Sequence, residues 1–361
     1  VRAALAEASR GLVDREVLVD LIALAAVAGE HLLVIGPPGT AKSQAVRQVA
    51  RALGGRYFEY LLGRFTEPGE LVGPIDLRRL RDGVIETQTA GMLPEAEVAF
   101  LDEVFLGSTA ILNTLLALLN ERTFRRGATA LAVPLRVCVG AANQIPDDEM
   151  LAAFADRFLL RCFVAPVDDG RLEDLLEGGG REPAAPVVAG LAALDTLAAA
   201  ARGARLDEVR PRIADAVRTL RAAGIALTDR RVVKVQRLVA AAAALDGREV
   251  ASAADLWPIL YAVPSADGQA VARDALRPLL EATANRALAA AAAEASLAPA
   301  ARAARLVAAA RAVLAGERGP TWRLGLESVA RDIDAGFAAD ARPPELAEVR
   351  GAIVAALAES P

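Results

Sequence analysis

The chain has 361 residues, 54% hydrophobic but only 4% aromatic, and a formal net charge of -5. That length suggests two or three domains, each able to bury a core. The hydrophobic excess is alanine, a helix former, and Arg, Glu and Asp break its tracts before they reach the roughly 20 apolar residues of a membrane span. The negative balance argues against tight sequence-independent nucleic-acid binding.

Residues from Leu5 to Ala28 read as helices, with Leu18, Leu21, Ile22 and Ala25 on one face, and are expected to pack over a nucleotide base. The apolar run His31 to Ile35 then leads into Gly36-Pro37-Pro38-Gly39-Thr40-Ala41-Lys42-Ser43, and a helix follows through Leu53. A buried strand, a Gly/Pro turn and a helix opened by Lys-Ser form the context of a phosphate-binding loop. Backbone N–H groups and the helix N-terminus cradle phosphate oxygens, Lys42 neutralises charge, and the Ser43 hydroxyl is placed for Mg²⁺. The usual pattern has Gly before the Lys; Ala41, the smallest replacement, stands there. His31 reads as structural, and Cys138 and Cys162, in apolar runs without metal-ligand spacing, read as core. Their usage fits a reducing compartment, and the expected location is the cytoplasm.

Tyr57 to Leu62 reads as a second strand, and Thr66 to Gly73 as a short helix that ends at glycine. Asp76 to Thr87 is expected to be a hairpin around Asp82-Gly83, carrying Arg78, Arg79 and Arg81. Val98 to Leu101 is a central strand ending in Asp102 and Glu103, placed to hold the hydration shell of Mg²⁺ and to polarise an attacking water, respectively. A helix from Ile111 to Asn120 and a second hairpin with Arg125-Arg126-Gly127 at its turn come next. The strand Leu135 to Ala142 delivers Asn143 to the same carboxyl edge as Lys42 and Asp102, where open α/β folds bind ligands. Leu151 to Phe158 is a helix carrying Asp156-Arg157-Phe158, and Leu159 to Val164 is the last strand. The alternation predicts a five-stranded, mainly parallel sheet covered on both faces.

Beyond Pro166 the chain changes character. Gly178 to Pro186 is a loose segment, Val209 to Ala222 a helix, and Thr228 the N-cap of another helix running through Leu245. The expected organisation is a nucleotide-binding core with two inserted hairpins at 1–166, a linker and helix at 167–204, an all-α lid at 205–264 and a helical extension at 265–361. No chemistry is legible in that extension.

Phosphate loop, acidic strand end, strand-terminal Asn, Asp-Arg-Phe and a helical lid occur in the order of the AAA+ ATPases. GPPGTAKS, YFEYLLGRFTEPGELVGP, AFLDEVFLGSTAILNTLLALLNERTFRRG, AANQIP, DRFLLR and LTDRRVVKVQRL resemble the MoxR family, in particular its RavA-type branch. In that light Ala41 matches the family's loop variant. The resemblance implies a hexameric ring with ATP and Mg²⁺ between subunits. It makes Lys42 and Ser43 Walker A contacts, Asp102 and Glu103 the Walker B pair, Asn143 the first sensor, Arg157 an arginine finger reaching the neighbour's site, and Arg230 the lid's second sensor, with Arg231 competing for that position. It also implies a chaperone-like role with a protein partner, often one carrying a von Willebrand factor type A domain, although beyond residue 270 neither the RavA-type β-rich insertion nor a type A domain is recognisable. A nucleic-acid motor on the same core and a scaffold with little turnover are the alternatives. Scarce aromatic residues weigh against the first, and intact Glu103, Asn143 and Arg157 against the second.

Overall fold

The computed structural model describes residues 1–167, 171–178, 188–296, 299–316, 320–337 and 342–358. Gly179 to Pro186, within the expected loose segment, lie outside the described residues, as do 317–319.

Helices α1 (Arg2–Ala8) and α2 (Glu16–Ala28) lead into β1 (Leu32–Ile35), and α3 (Lys42–Leu53) connects it to β2 (Tyr57–Leu61). Short helices α4 (Pro68–Val72) and α5 (Leu77–Arg81) precede β3 (Val98–Asp102). After α6 (Thr109–Leu116), which continues as a π-helical turn to Glu121, come the antiparallel pair β4 (Thr123–Arg126) and β5 (Thr129–Ala132). β6 (Val137–Ala142), α7 (Glu149–Ala155) and β7 (Leu160–Phe163) complete the core. The main sheet runs β2-β3-β6-β1-β7, and all its pairings are parallel.

The central strands are buried on both faces, so β1 and β6 are apolar throughout, as is β3 up to Asp102, while the edge strands β2 and β7 carry Glu59 and Arg161. Leu32 and Val34, with Phe100, Val139 and Leu160, join one core shared with α2 and α3. Leu33, Ile35, Ala99, Leu101 and Cys138 point the other way, into a core with α6, Phe154 and Phe158, as the period of two in a strand requires. The expected one-sided face of α2 is replaced by burial of every residue from Leu18 to Val27. Helices pack on several sides of it, so it has no solvent face to mark with polar residues. His31 is structural: its Nδ1 accepts from the Cys138 N–H at 3.0 Å, its Nε2 lies 3.0 Å from the Leu119 carbonyl, and burial holds its pKa well below the ordinary value.

One expected hairpin is not formed. In the segment from Asp76 to Thr87 the Asp76 carboxylate caps α5 by accepting from the N–H groups of Arg78 and Arg79, and Leu-Arg-Arg-Leu-Arg, all good helix formers, coils instead of extending. Only a single antiparallel bridge, Ile75 to Thr87, closes its base. The second hairpin, β4–β5, turns at Gly127 (φ +58°), where a Cβ would lie 2.3 Å from the Ile85 carbonyl oxygen, so the two insertions pack against each other.

Beyond the core, α8 (Leu172–Gly178), α9 (Leu191–Gly203), α10 (Arg210–Ala222), α11 (Asp229–Leu245) and α12 (Pro258–Tyr261) are followed by α13 (Ala266–Ala275), α14 (Arg277–Leu280) and α15 (Ala289–Ser296). Residues of α13 to α15, such as Ala272, Leu280 and Ala291, enter the same apolar cluster as α2 and α11, and Gln269 Nε2 donates to the Arg161 carbonyl on β7 at 3.2 Å. This part of the chain therefore covers the sheet's β7 edge. Helices α16 (Pro299–Ala315), α17 (Pro320–Gly336) and α18 (Pro344–Ala358) bury a cluster of their own, centred on Leu326, Ile333, Leu346 and Ile353.

Asp20, buried in α2, ties α15 to the core: its Oδ2 accepts from the Ala291 N–H at 3.0 Å, and burial pushes its pKa up to about 7. The folded state therefore keeps this proton up to about pH 7, whereas the unfolded chain releases it near pH 4. Stability from this group is present below pH 4 and declines as pH rises to 7. Asp20→Asn is expected to raise the melting temperature at pH 8, with the gain over wild type vanishing toward pH 4 in thermal melts across that range.

Candidate functional site

The loop after β1 is built for close backbone approach. A Cβ on Gly36 would lie 2.1 Å from the Val164 carbonyl oxygen of the neighbouring strand end, so only Gly fits. Gly39 (φ +79°) and Ala41 (φ +57°) both adopt the left-handed region. Ala41 thus sits in a conformation that costs an L-residue roughly 1–2 kcal/mol, the physical reason a Gly is usual there. Pro37, Pro38 and Gly39 are exposed, and the backbone N–H groups of Gly39 to Ser43 make no hydrogen bond among the described residues. Orphan donors at a helix N-terminus fit phosphate oxygens.

Lys42 is buried, and its Nζ donates to the carbonyls of Gly36 at 2.7 Å and Pro37 at 2.9 Å. Burial lowers its pKa, while Asp102 and Glu103 oppose that shift. Asp102 ends β3, and its Oδ1 accepts from the Glu103 N–H at 3.0 Å. Glu103 itself is left-handed (φ +50°), and its Oε1 accepts from Asn143 Nδ2 at 2.7 Å. The structure therefore brings Lys42, Asp102, Glu103 and Asn143 together at the carboxyl edge of three adjacent strands. An amide that donates to a strained carboxylate fixes where the base's oxygen points. Ser43, at the second position of α3, completes a donor set suited to Mg²⁺: a hydroxyl and a carboxylate.

Sequence reasoning missed Arg15. This buried side chain straps the loop: its Nε donates to the Thr40 carbonyl at 2.8 Å and its Nη2 to the Ala165 carbonyl at 2.8 Å. The charged run Asp14-Arg15-Glu16 between two apolar helices was the available signal.

Arg157 and Arg230 lie elsewhere. Arg157 precedes β7, whose first residue, Leu160, donates its N–H to the carbonyl of His31 at the foot of β1. A four-residue strand at about 3.3 Å per residue, roughly 13 Å, separates that edge from the phosphate loop. The first turns of α11 occupy the same amino edge: Lys234 Nζ and Arg237 Nη1 contact buried Glu30, next to His31, at 2.6 and 3.0 Å. Arg230, at the start of α11, is exposed. Its neighbour Arg231 is only 2% exposed and spends its guanidinium on the core. Nε pairs with Asp156 Oδ1 at 2.7 Å, Nη1 donates to the carbonyls of Leu159 and Ala262 at 2.7 Å each, and Nη2 donates to that of Phe158 at 2.9 Å. Of the two adjacent arginines, then, only Arg230 offers its side chain to solvent.

A five-stranded parallel sheet with a phosphate loop, an acidic strand end and helical domains beyond it defines an AAA+ ATPase. Within that class the chain belongs to the MoxR family: residues 1–195 match the MoxR domain in the MoxR-vWA-beta-propeller ternary systems. It is 35% identical over 248 residues to an uncharacterized protein of Methanocaldococcus jannaschii, covering 67% of this chain and 65% of that protein. Protein MoxR of Paracoccus denitrificans is 30% identical over 156 residues, 40% of this chain and 44% of that one. The chain thus spans less than two thirds of the length of these relatives. A crystal structure of a candidate ATPase from Cytophaga hutchinsonii shares the fold, with a TM-score of 0.61 at 15% identity over 73% of this chain and 84% of that one.

Truncating the two neighbouring arginines of α11 should have opposite consequences. Arg231→Ala leaves Asp156 and the carbonyls of Leu159 and Ala262 without this donor and is expected to cost about 3–5 kcal/mol in urea unfolding. Arg230→Ala, at an exposed position, is expected to stay within about 0.5 kcal/mol of wild type in the same measurement.

Proposed function

We propose that this chain hydrolyses ATP as a subunit of a MoxR-type ring and acts in the cytoplasm on a protein partner, remodelling or activating it, rather than on nucleic acid.

 The observation that carries this reading is the hydrogen bond from Asn143 to Glu103 beside Lys42, which sets a general base at the mouth of a phosphate loop. Glu103 accepts the proton of the attacking water, Asn143 holds that carboxylate in place, and Lys42 turns from the loop carbonyls to the β and γ phosphates. Mg²⁺ would be held by the Ser43 hydroxyl and, through water, by Asp102, and would supply further charge neutralisation. The exposed loop tip and the unpaired N–H groups of Gly39 to Ser43 support a triphosphate ligand.

The positions of the arginines support assembly. Arg157 and Arg230, at the amino edge, stand roughly a strand's length from the loop of their own subunit, which supports roles in trans for Arg157 as finger and Arg230 as second sensor. A planar, permanently charged donor suits the charge that develops on γ-phosphate oxygens. Leu61, the last residue of β2, and Phe65 beyond it, 65% and 95% exposed, offer apolar surface for a neighbouring subunit to cover. A six-membered ring and membership of the RavA-type branch rest on the sequence resemblance. The matched family's description, which sets MoxR beside vWA and beta-propeller components, supports a partner with a von Willebrand factor type A domain.

Lys42→Ala is expected to abolish ATP binding in equilibrium titration. Glu103→Gln is expected to keep binding and slow turnover by about 10²-fold or more, and Arg157→Ala to slow it by on the order of 10³-fold. Wild-type turnover in both the Lys42 and the Glu103 variants would overturn the site.

A further inference from the structure

The turn that carries Arg157 is gripped from two sides. It follows α7 and spans Ala155 to Leu159, where the helix leaves carbonyls without intrahelical partners. From strand β7, buried Arg161 donates to the carbonyls of Ala155 and Phe158. From α11, buried Arg231 donates to the carbonyls of Phe158 and Leu159 and pairs with Asp156. Asp156 is therefore the carboxylate in direct contact with a site holding two buried guanidinium groups. Burial lowers the pKa of both, Arg231 lowers that of Arg161 further, and Asp156 opposes the shift in each.

Arg157 is flanked in sequence by Asp156 and Phe158, both contacted by Arg231, and Arg230 is Arg231's own neighbour. The Arg231–Asp156 pair thus joins the two segments that present the exposed arginine of α11 and the half-buried Arg157. Its geometry is rigid for a physical reason: a planar guanidinium with four acceptors at 2.7–2.9 Å has no alternative rotamer that satisfies them.

We propose that Asp156 and Arg231 are positioning residues that lock the Arg157 turn to the N-terminus of α11, so that Arg157 and Arg230 reach the neighbouring subunit's nucleotide as one unit with fixed spacing. The inference rests on the trans-acting role given to Arg157 above. Neither member of the pair touches nucleotide. Loss of the pair displaces the arginines, and a displacement of about 1 Å at a catalytic group can cost on the order of 10²-fold in rate.

The test is complementation between subunits of the full chain. Asp156→Ala is expected to bind ATP with wild-type stoichiometry and an affinity within about threefold, yet to turn over at least about tenfold more slowly. Such a subunit keeps its own loop and Glu103 but presents displaced arginines. Glu103→Gln has the complementary defect, intact arginines and a disabled base. Co-assembled in equal amounts, the two variants are expected to exceed the sum of their separate rates several-fold. They should approach about a quarter of wild-type turnover, the fraction of head-to-tail interfaces that pair an intact site with intact arginines. A defect confined to folding or to the subunit's own site gives no such rescue.

Asp156→Asn, which keeps an oxygen for Arg231 without the charge, is measured in parallel in case truncation unfolds the turn; the same rescue is expected. Arg157→Ala mixed with Glu103→Gln is the control. Rescue in the control but not with either Asp156 variant, or wild-type turnover in Asp156→Ala alone, overturns the positioning role and leaves the trans-acting finger standing. Absence of rescue in the control overturns the trans-acting finger itself, and the positioning role with it.

Discussion

Every strand of the central sheet runs in the same direction, and that polarity sorts the charged residues of the chain onto two unlike edges. At the carboxyl edge the strands release Gly36, Asp102 and Asn143, so loop, acids and amide converge without any long-range device. At the amino edge the helices return, bringing Asp156 and Arg157 from the turn after α7 and Arg230 and Arg231 from α11. Four or five residues of buried strand lie between the two groups. A parallel sheet needs helical crossovers, and those crossovers carry the second set of charges away from the first.

A buried charge holds one element against another at three places. Buried Arg15 ties the start of α2 to the phosphate loop, buried Arg161 and Arg231 hold the turn after α7, and buried Glu30 receives the more exposed Lys234 and Arg237 of α11. In each arrangement backbone carbonyls or a carboxylate receive the charge, because a buried guanidinium without acceptors is strongly destabilising. Such contacts add little net stability compared with apolar packing, but they admit one geometry. That suits a molecule in which catalytic groups belong to different elements.

The carboxyl-edge site was legible because its residues are local to the strand ends that position them. Gly36 to Ser43 follows one strand, Asp102 and Glu103 another, and Asn143 a third, each after an apolar run that identifies its strand. Asp76 to Thr87 misled because Asp-Gly signals a turn in a hairpin and after a capped helix alike, and the helix formers Leu77 to Arg81 decided between them. Arg15 was not singled out and Asp156 was named only within Asp-Arg-Phe, since a charged residue beside a helix end is ordinarily solvated, and only packing from distant segments buries or pairs it.

By itself the sequence determined the α/β alternation, the phosphate loop, the acidic pair and the thirteen-residue and longer helices of the second half, all set by local propensity and by apolar periodicity. It could not separate Arg230 from Arg231, because adjacent helical positions differ only in which way they face. The tertiary structure decided that: Arg231 meets Asp156, 75 positions earlier, and is buried, while Arg230 is left exposed. It likewise decided that both Arg157 and Arg230 stand at the edge opposite their own phosphate loop, because the distance between sheet edges exists only once the strands are aligned.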